Sequence, residues 1–171
     1  MEDRGSQVLL IEADRVLRDL ILLALEREGV TAIHASEPDQ AVSLSAHHRP
    51  VVVLLDLLSS YADGLNLIRD IRANLPRESS VVVISSLAFD EVVRQVVRAG
   101  ANDFILKPLD VSVLVDKVRK AIAAQRNLTR QKQQEQVARL VEEPLPGERS
   151  AASQADIHRW VPGILNAAGT S

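Results

Sequence analysis

Asp56 stands at the end of an unbroken apolar run, Val51-Val52-Val53-Leu54-Leu55. Such a run, bounded by polar residues, reads as a strand buried on both faces of a parallel sheet. Three other polar residues hold the same place after other apolar runs: Glu12 after Ile11, Ser85 after Ile84 and Lys107 after Leu106. Ligands of open parallel sheets gather beyond the carboxyl ends of the strands. Two acids, a hydroxyl and an amine brought to that edge suit a metal ion or a phosphoryl group. Taken singly, each has a plainer reading: Asp56 as a turn or capping residue, Ser85 as a helix cap, Lys107 as a surface charge. Their shared position favours the joint reading.

The elements that must position them alternate regularly along the chain. Val8–Ile11 reads as a first strand, and Asp14-Arg15 starts a helix carrying Val16, Leu17, Leu20, Ile21 and Ala24, ended by Gly29. Thr31–Ala35 is a weaker second strand, and Glu37-Pro38 opens a second helix. After the central strand, Gly64–Arg72 forms a third helix with Leu65, Leu67, Ile68 and Ile71. Val81–Ile84 is the fourth strand, Asp90–Ala99 the fourth helix closed by Gly100, and Phe104–Leu106 a short fifth strand. Asp110 caps a fifth helix whose Val111, Leu114, Val115, Val118 and Ile122 share one face. Repeated strand-helix alternation predicts a doubly wound α/β fold with right-handed crossovers.

A length of 171 residues suits one such domain plus appendages. The 46% hydrophobic content is mostly Val, Leu, Ile and Ala, with 2% aromatics, so no aromatic-studded surface for stacking bases is expected. A net charge of −3 gives no electrostatic reason for nucleic acid or an anionic membrane as partner. Cysteine is absent, which excludes disulfides and thiolate metal sites and fits a reducing compartment. The acidic start Met1-Glu2-Asp3-Arg4 lacks a signal-peptide core, and no apolar run reaches the ~18 residues of a membrane span. A soluble, cytoplasmic protein is expected.

From Val8 to about Ala124 the chain resembles the receiver domain of two-component response regulators, of the CheY-like kind. The resemblance rests on Leu9-Leu10-Ile11-Glu12-Ala13-Asp14, Leu54-Leu55-Asp56, the loop ending Asp63-Gly64, Val83-Ile84-Ser85-Ser86, and Ala99-Gly100-Ala101-Asn102-Asp103-Phe104-Ile105-Leu106-Lys107-Pro108. It implies a five-stranded parallel, flavodoxin-like sheet ordered 2-1-3-4-5, with a crevice between the first and third strands. It also implies a signalling protein, not an enzyme. Asp56 would accept a phosphoryl group from the phosphohistidine of a histidine kinase or phosphotransfer protein. Mg²⁺ would neutralise charge, held by Glu12, Asp56 and the backbone carbonyl of Leu58. Lys107 would pair with a phosphoryl oxygen and Ser85 would donate its hydroxyl to another. Phe104 would turn inward as Ser85 moves, its plainer reading being a core aromatic. Pro108 would set the backbone after Lys107, often through a cis bond.

The chain departs from the family pattern in its acids. A second acid normally follows the first, but here Ala13 follows Glu12, and Asp14 can replace it only if the loop bends differently. Ser60 stands where Pro is usual, and Ser85 where Thr is commoner. A pseudo-receiver acting as an adaptor or scaffold without phosphorylation is the alternative that Ala13 suggests. A small phosphohydrolase needs a second acid just beyond the nucleophile, where Leu57-Leu58 stand instead.

The expected organisation is an N-terminal tail (1–7), a receiver domain (8–124), a helical extension (125–142), and a flexible linker with a short tail (143–171). In that tail Ile157, Trp160, Val161, Ile164 and Leu165 recur at helical spacing, interrupted by Pro162-Gly163. They read either as an anchor for a partner groove or as a turn without one. Output is expected through contact with a downstream protein, or through a homodimer formed by the fourth helix, fifth strand and fifth helix. Arg94, Arg98, Asp116, Lys117, Arg119 and Lys120 could form ion pairs there or be an ordinary solvated surface.

Overall fold

A computed structural model describes residues 7–57, 61–87 and 89–142. The expectations for Leu58, Ser60, most of the N-terminal tail, and the linker and tail around Trp160 lie outside these residues. The elements follow in the order β1 (Val8–Ile11), α1 (Arg15–Arg27), β2 (Ala32–Ala35), α2 (Pro38–His48), β3 (Val52–Asp56), α3 (Tyr61–Asn74), β4 (Ser80–Ser85), α4 (Asp90–Ala99), β5 (Asp103–Leu106) and α5 (Val111–Glu142). The five strands form one parallel sheet in the order β2-β1-β3-β4-β5, a flavodoxin-like arrangement.

Period-two alternation divides the strand residues between two apolar layers. Leu9, Ile11, Val53, Leu55, Val81 and Val83 pack with Ile68 and Ile71 of α3 and with Val96 of α4. Val8, Leu10, Val52, Leu54, Val82 and Ile84 pack with Ile21 and Leu25 of α1 and with Leu114, Val118 and Ile122 of α5. Both faces of β1 and β3 are therefore covered, which is why their sequences are continuous apolar runs rather than alternating ones.

Local chemistry sets most helix ends. Asp14 is the N-cap of α1, accepting from the amides of Val16 and Leu17. Pro38 occupies the first turn of α2, where its missing N–H costs nothing. That helix ends at Arg49, in the left-handed region with φ 45°, directly before Pro50. Gly100 closes α4 at φ 119°, a conformation that favours glycine.

The third helix begins at Tyr61, not at Gly64 as the sequence suggested. Asp63 thereby enters its first turn, where a carboxylate favours the helix N-terminus. Gly64 sits inside the helix because the Leu57 side chain lies against it, so that a Cβ there would collide.

Arg72 fastens the far end of this layer. Its guanidinium donates to the Gly100 carbonyl through Nε and Nη2, to the Ser79 carbonyl through Nη1 and to Asn102 Oδ1. Asn102 Oδ1 also accepts from the Val81 amide at 2.8 Å. One side chain of α3 thus ties down the C-terminus of α4 and the entry to β5.

The chain divides into two compact units, Met1–Asn127 and Leu128–Ser171. Among described residues of the second unit, Leu128, Val137, Leu140 and Val141 are exposed apolar side chains of α5. Among the described residues, no helix is long and apolar enough to cross a membrane.

Candidate functional site

Sheet register brings the predicted residues to one edge. Ile11 pairs with Leu55, so Glu12 and Asp56 follow side by side on neighbouring strands. Asp56 pairs with Ile84 and Ser85 with Leu106, so Ser85 and Lys107 close the same edge. The parity of Leu10, Leu54 and Ile105 continues to Glu12, Asp56 and Lys107, directing those three toward the same side.

The side chains meet accordingly. Lys107 Nζ donates to Asp56 Oδ2 at 2.8 Å and lies 4.0 Å from Glu12 Oε2. Glu12 is 1% exposed and Asp56 8%, so two carboxylates share one ammonium in a largely water-excluding pocket. Glu12 Oε1 accepts from the Asp14 amide at 2.9 Å. Its Oε2 is the one buried side-chain polar atom among the described residues that has no hydrogen-bond partner. Burial pushes the Glu12 carboxyl above its ordinary range, and the neighbouring Asp56 charge adds to this; the Asp14 amide and Lys107 oppose it.

Ser85 is buried, and its Oγ accepts from the Leu87 amide at 3.0 Å. The Lys107 amide donates to the Ser85 carbonyl at 2.9 Å, which ties the tip of β4 to the residue carrying the ammonium. Phe104 is half-buried against the layer of α3 and α4. Its register partner is Val83, so Ser85 lies one pleat further along the same face of the sheet. The Lys107–Pro108 peptide bond is cis.

Two neighbours of Glu12 matter for a cation. Ala13 is exposed and carries only a methyl group. Asp14 is exposed, and its Oδ1 accepts from Val16 at 2.8 Å and from Leu17 at 3.0 Å, which turns its carboxylate onto the end of α1. Mg²⁺ takes hard oxygen ligands and is commonly held by one or two carboxylates with water and phosphate. The unpartnered Glu12 Oε2, buried beside Asp56, fits such an ion. The fit is a lean one: among the described residues, no group of three His, Cys, Asp or Glu side chains could hold a metal.

Sequence reasoning did not find the contact of Leu57 with Gly64, although Leu57 directly follows Asp56. A glycine inside a helical period was its only signal. Leu57 is also fixed by its amide, which donates to the Ile84 carbonyl at 2.9 Å.

The sequence profile of the response regulator receiver domain matches residues 8–119. The transcriptional regulatory protein CseB of Streptomyces avermitilis is 40% identical over 120 residues, covering 67% of this chain and 48% of that protein. The chain thus spans about half the length of that curated relative. A crystal structure of a response regulator from Thermotoga maritima aligns with a TM-score of 0.61 and 30% identity, over 68% of this chain and 96% of that one. The receiver domain of a sensor histidine kinase from Pseudomonas aeruginosa PAO1, solved with a magnesium ion in its active-site cleft, aligns with a TM-score of 0.59. It is 23% identical and covers 70% of this chain and 98% of that one, which speaks for the fold alone. With a matching profile, a matching sheet and an acid–lysine pair at the strand tips, the chain belongs to the response regulator receiver domain family.

Proposed function

We propose that this chain accepts a phosphoryl group on Asp56 from the phosphohistidine of a histidine kinase or phosphotransfer protein, and signals the change by protein contact. The observation that carries this reading is the Lys107 ammonium, 2.8 Å from Asp56 Oδ2 in a buried pocket. An oxygen of Asp56 attacks phosphorus, the N–P bond breaks as the O–P bond forms, and the electron pair leaves with the imidazole. Such transfer depends on positioning and charge neutralisation more than on covalent assistance. Lys107, a compact cation, is placed to follow the negative charge from the carboxylate to the phosphoryl oxygens. Ser85 can exchange its bond with the Leu87 amide for one donated to a phosphoryl oxygen.

Mg²⁺, when bound, would be held by Glu12 and Asp56, with the Leu58 carbonyl as the further ligand the family implies, and would neutralise phosphoryl charge. Asp14 was the other candidate ligand; its capping bonds favour a structural role. Ser85 and Phe104 share a sheet face, which supports Phe104 as the aromatic that answers a shift of Ser85.

The output reading rests on α4, β5 and α5, where Val97, Leu106 and Val113 are large exposed apolar residues. Their charged neighbours pair within the chain: Lys117 with Asp103, Lys120 with Asp116 and Arg94 with Asp90. Exposed pairs of this kind contribute little and can be exchanged for pairs with a partner or a second copy. A cytoplasmic location belongs to the same reading.

Incubation with phosphoramidate and Mg²⁺, followed by intact-mass measurement, tests the proposal. The expected result is a gain of one phosphoryl group that decays with time, as an acyl phosphate does. No gain at any Mg²⁺ concentration would contradict it.

A further inference from the structure

We propose that the segment Ile157-His158-Arg159-Trp160-Val161 packs onto the exposed apolar end of α5, on Val137, Leu140 and Val141, so that the chain closes on the helix preceding it. The proposal goes beyond the phosphoacceptor reading and does not depend on it.

The end of α5 lacks a cover among the described residues. From Arg126 to Val141 every residue of the helix is exposed. Short isolated helices are marginal in water, and most helices in proteins are held by burying an apolar face. This stretch offers such a face at its far end, where Val137, Leu140 and Val141 are 60%, 65% and 80% exposed. Their spacing of three and four residues sets them on one side of the helix. Leu128 does not prolong that side, because it lies about half a turn around the helix from Val137. Arg130, Gln133 and Gln134 between them are polar.

That brevity argues against a second copy as the occupant. A self-paired helix needs an apolar seam over about three to four heptads. A tethered segment needs far less, because a short linker holds it at an effective concentration in roughly the millimolar range.

The sequence beyond Glu142 supplies such a segment. Ile157, Trp160 and Val161 repeat the spacing of Val137, Leu140 and Val141, and an indole covers a large apolar area. Residues 143–156 connect the two sets, and Pro144, Pro146 and Gly147 near the start are turn-forming types. A connection of that length can reach roughly 45 Å, against about 6 Å of helix rise between Val137 and Val141. Charge agrees in sign. The helix end carries Arg130, Lys132 and Arg139 against Glu135, and the connection carries Glu143, Glu148 and Asp156 against Arg149.

Trp160 is the only tryptophan, so its fluorescence in the full chain reports this contact. Its emission should lie to the blue of the urea-unfolded chain and be shielded from acrylamide. Leu140→Asp should move the emission to the red and raise quenching to the unfolded level. Leu128→Asp, an equally unfavourable change for the helix but on its other side, should leave both in place. Both positions are exposed, so neither change disturbs the core.

A native emission at the unfolded position would overturn the proposal, as would a blue-shifted emission that Leu140→Asp leaves unmoved. An equal red shift from Leu128→Asp would overturn it by assigning the effect to melting of the helix. A red shift on dilution of the native chain would overturn it by making a second copy the occupant.

Discussion

Asp56→Asn will fold, hold its stability within about 1 kcal/mol of the native chain, and take up no phosphoryl group from phosphoramidate. The amide has the shape of the carboxylate, and its Oδ1 can still accept from Lys107, now at 2.8 Å from Asp56 Oδ2. Removing this charge also removes the repulsion that helps push Glu12 upward, which offsets the weaker bond to Lys107. The proposed nucleophile, however, would be gone, because an amide oxygen is too weak a nucleophile to displace the imidazole of a phosphohistidine. Intact mass after phosphoramidate treatment and urea unfolding of the same sample measure both parts. A variant that still gains a phosphoryl group would place the acceptor elsewhere.

Arg72→Ala carries the largest expected loss of stability, about 3 kcal/mol by urea unfolding, from the unmaking of charge-assisted hydrogen bonds and stranding of their acceptors. The guanidinium serves the Gly100 and Ser79 carbonyls and Asn102 Oδ1 together, and no single replacement reaches all three. Burial disfavours its charge, so the carbonyl dipoles around it, including the C-terminus of α4, are what make the position tenable. Lys at this position should recover only part of the loss, since an ammonium lacks the planar fork. A loss below about 1 kcal/mol for Arg72→Ala would mean that water replaces the guanidinium at little cost.

Much of this architecture was legible because it depends on short-range patterns. Apolar runs at Val8 and Val51 revealed the doubly covered strands, and Gly29, Pro38 and Gly100 marked helix ends through their backbone preferences. The strand-tip residues Glu12, Asp56, Ser85 and Lys107 could be set at one edge because a parallel sheet leaves no other place for them. What stayed hidden depends on contacts distant in sequence. Arg72 stood in the sequence only as the last residue of the expected third helix, and nothing nearby pointed to its partners at Ser79, Gly100 and Asn102. Gly64 looked like the end of a loop, yet Leu57 packs on it inside α3. Asp14 was open to two uses, cap or ligand, because spacing alone cannot say which way a carboxylate turns. The order of strands came from family resemblance, since alternation of strands and helices fits more than one winding.

Trapping the phosphorylated residue with borohydride and sequencing the peptides by mass spectrometry tests the central assignment most directly. Reduction cleaves an aspartyl phosphate to homoserine, so a phosphoramidate-treated sample should carry homoserine at position 56 and at no other acid. Homoserine at Asp14 or another aspartate, 5-hydroxynorvaline (the product of a reduced glutamyl phosphate) at Glu12 or another glutamate, or no reduced residue anywhere in the chain would contradict the account.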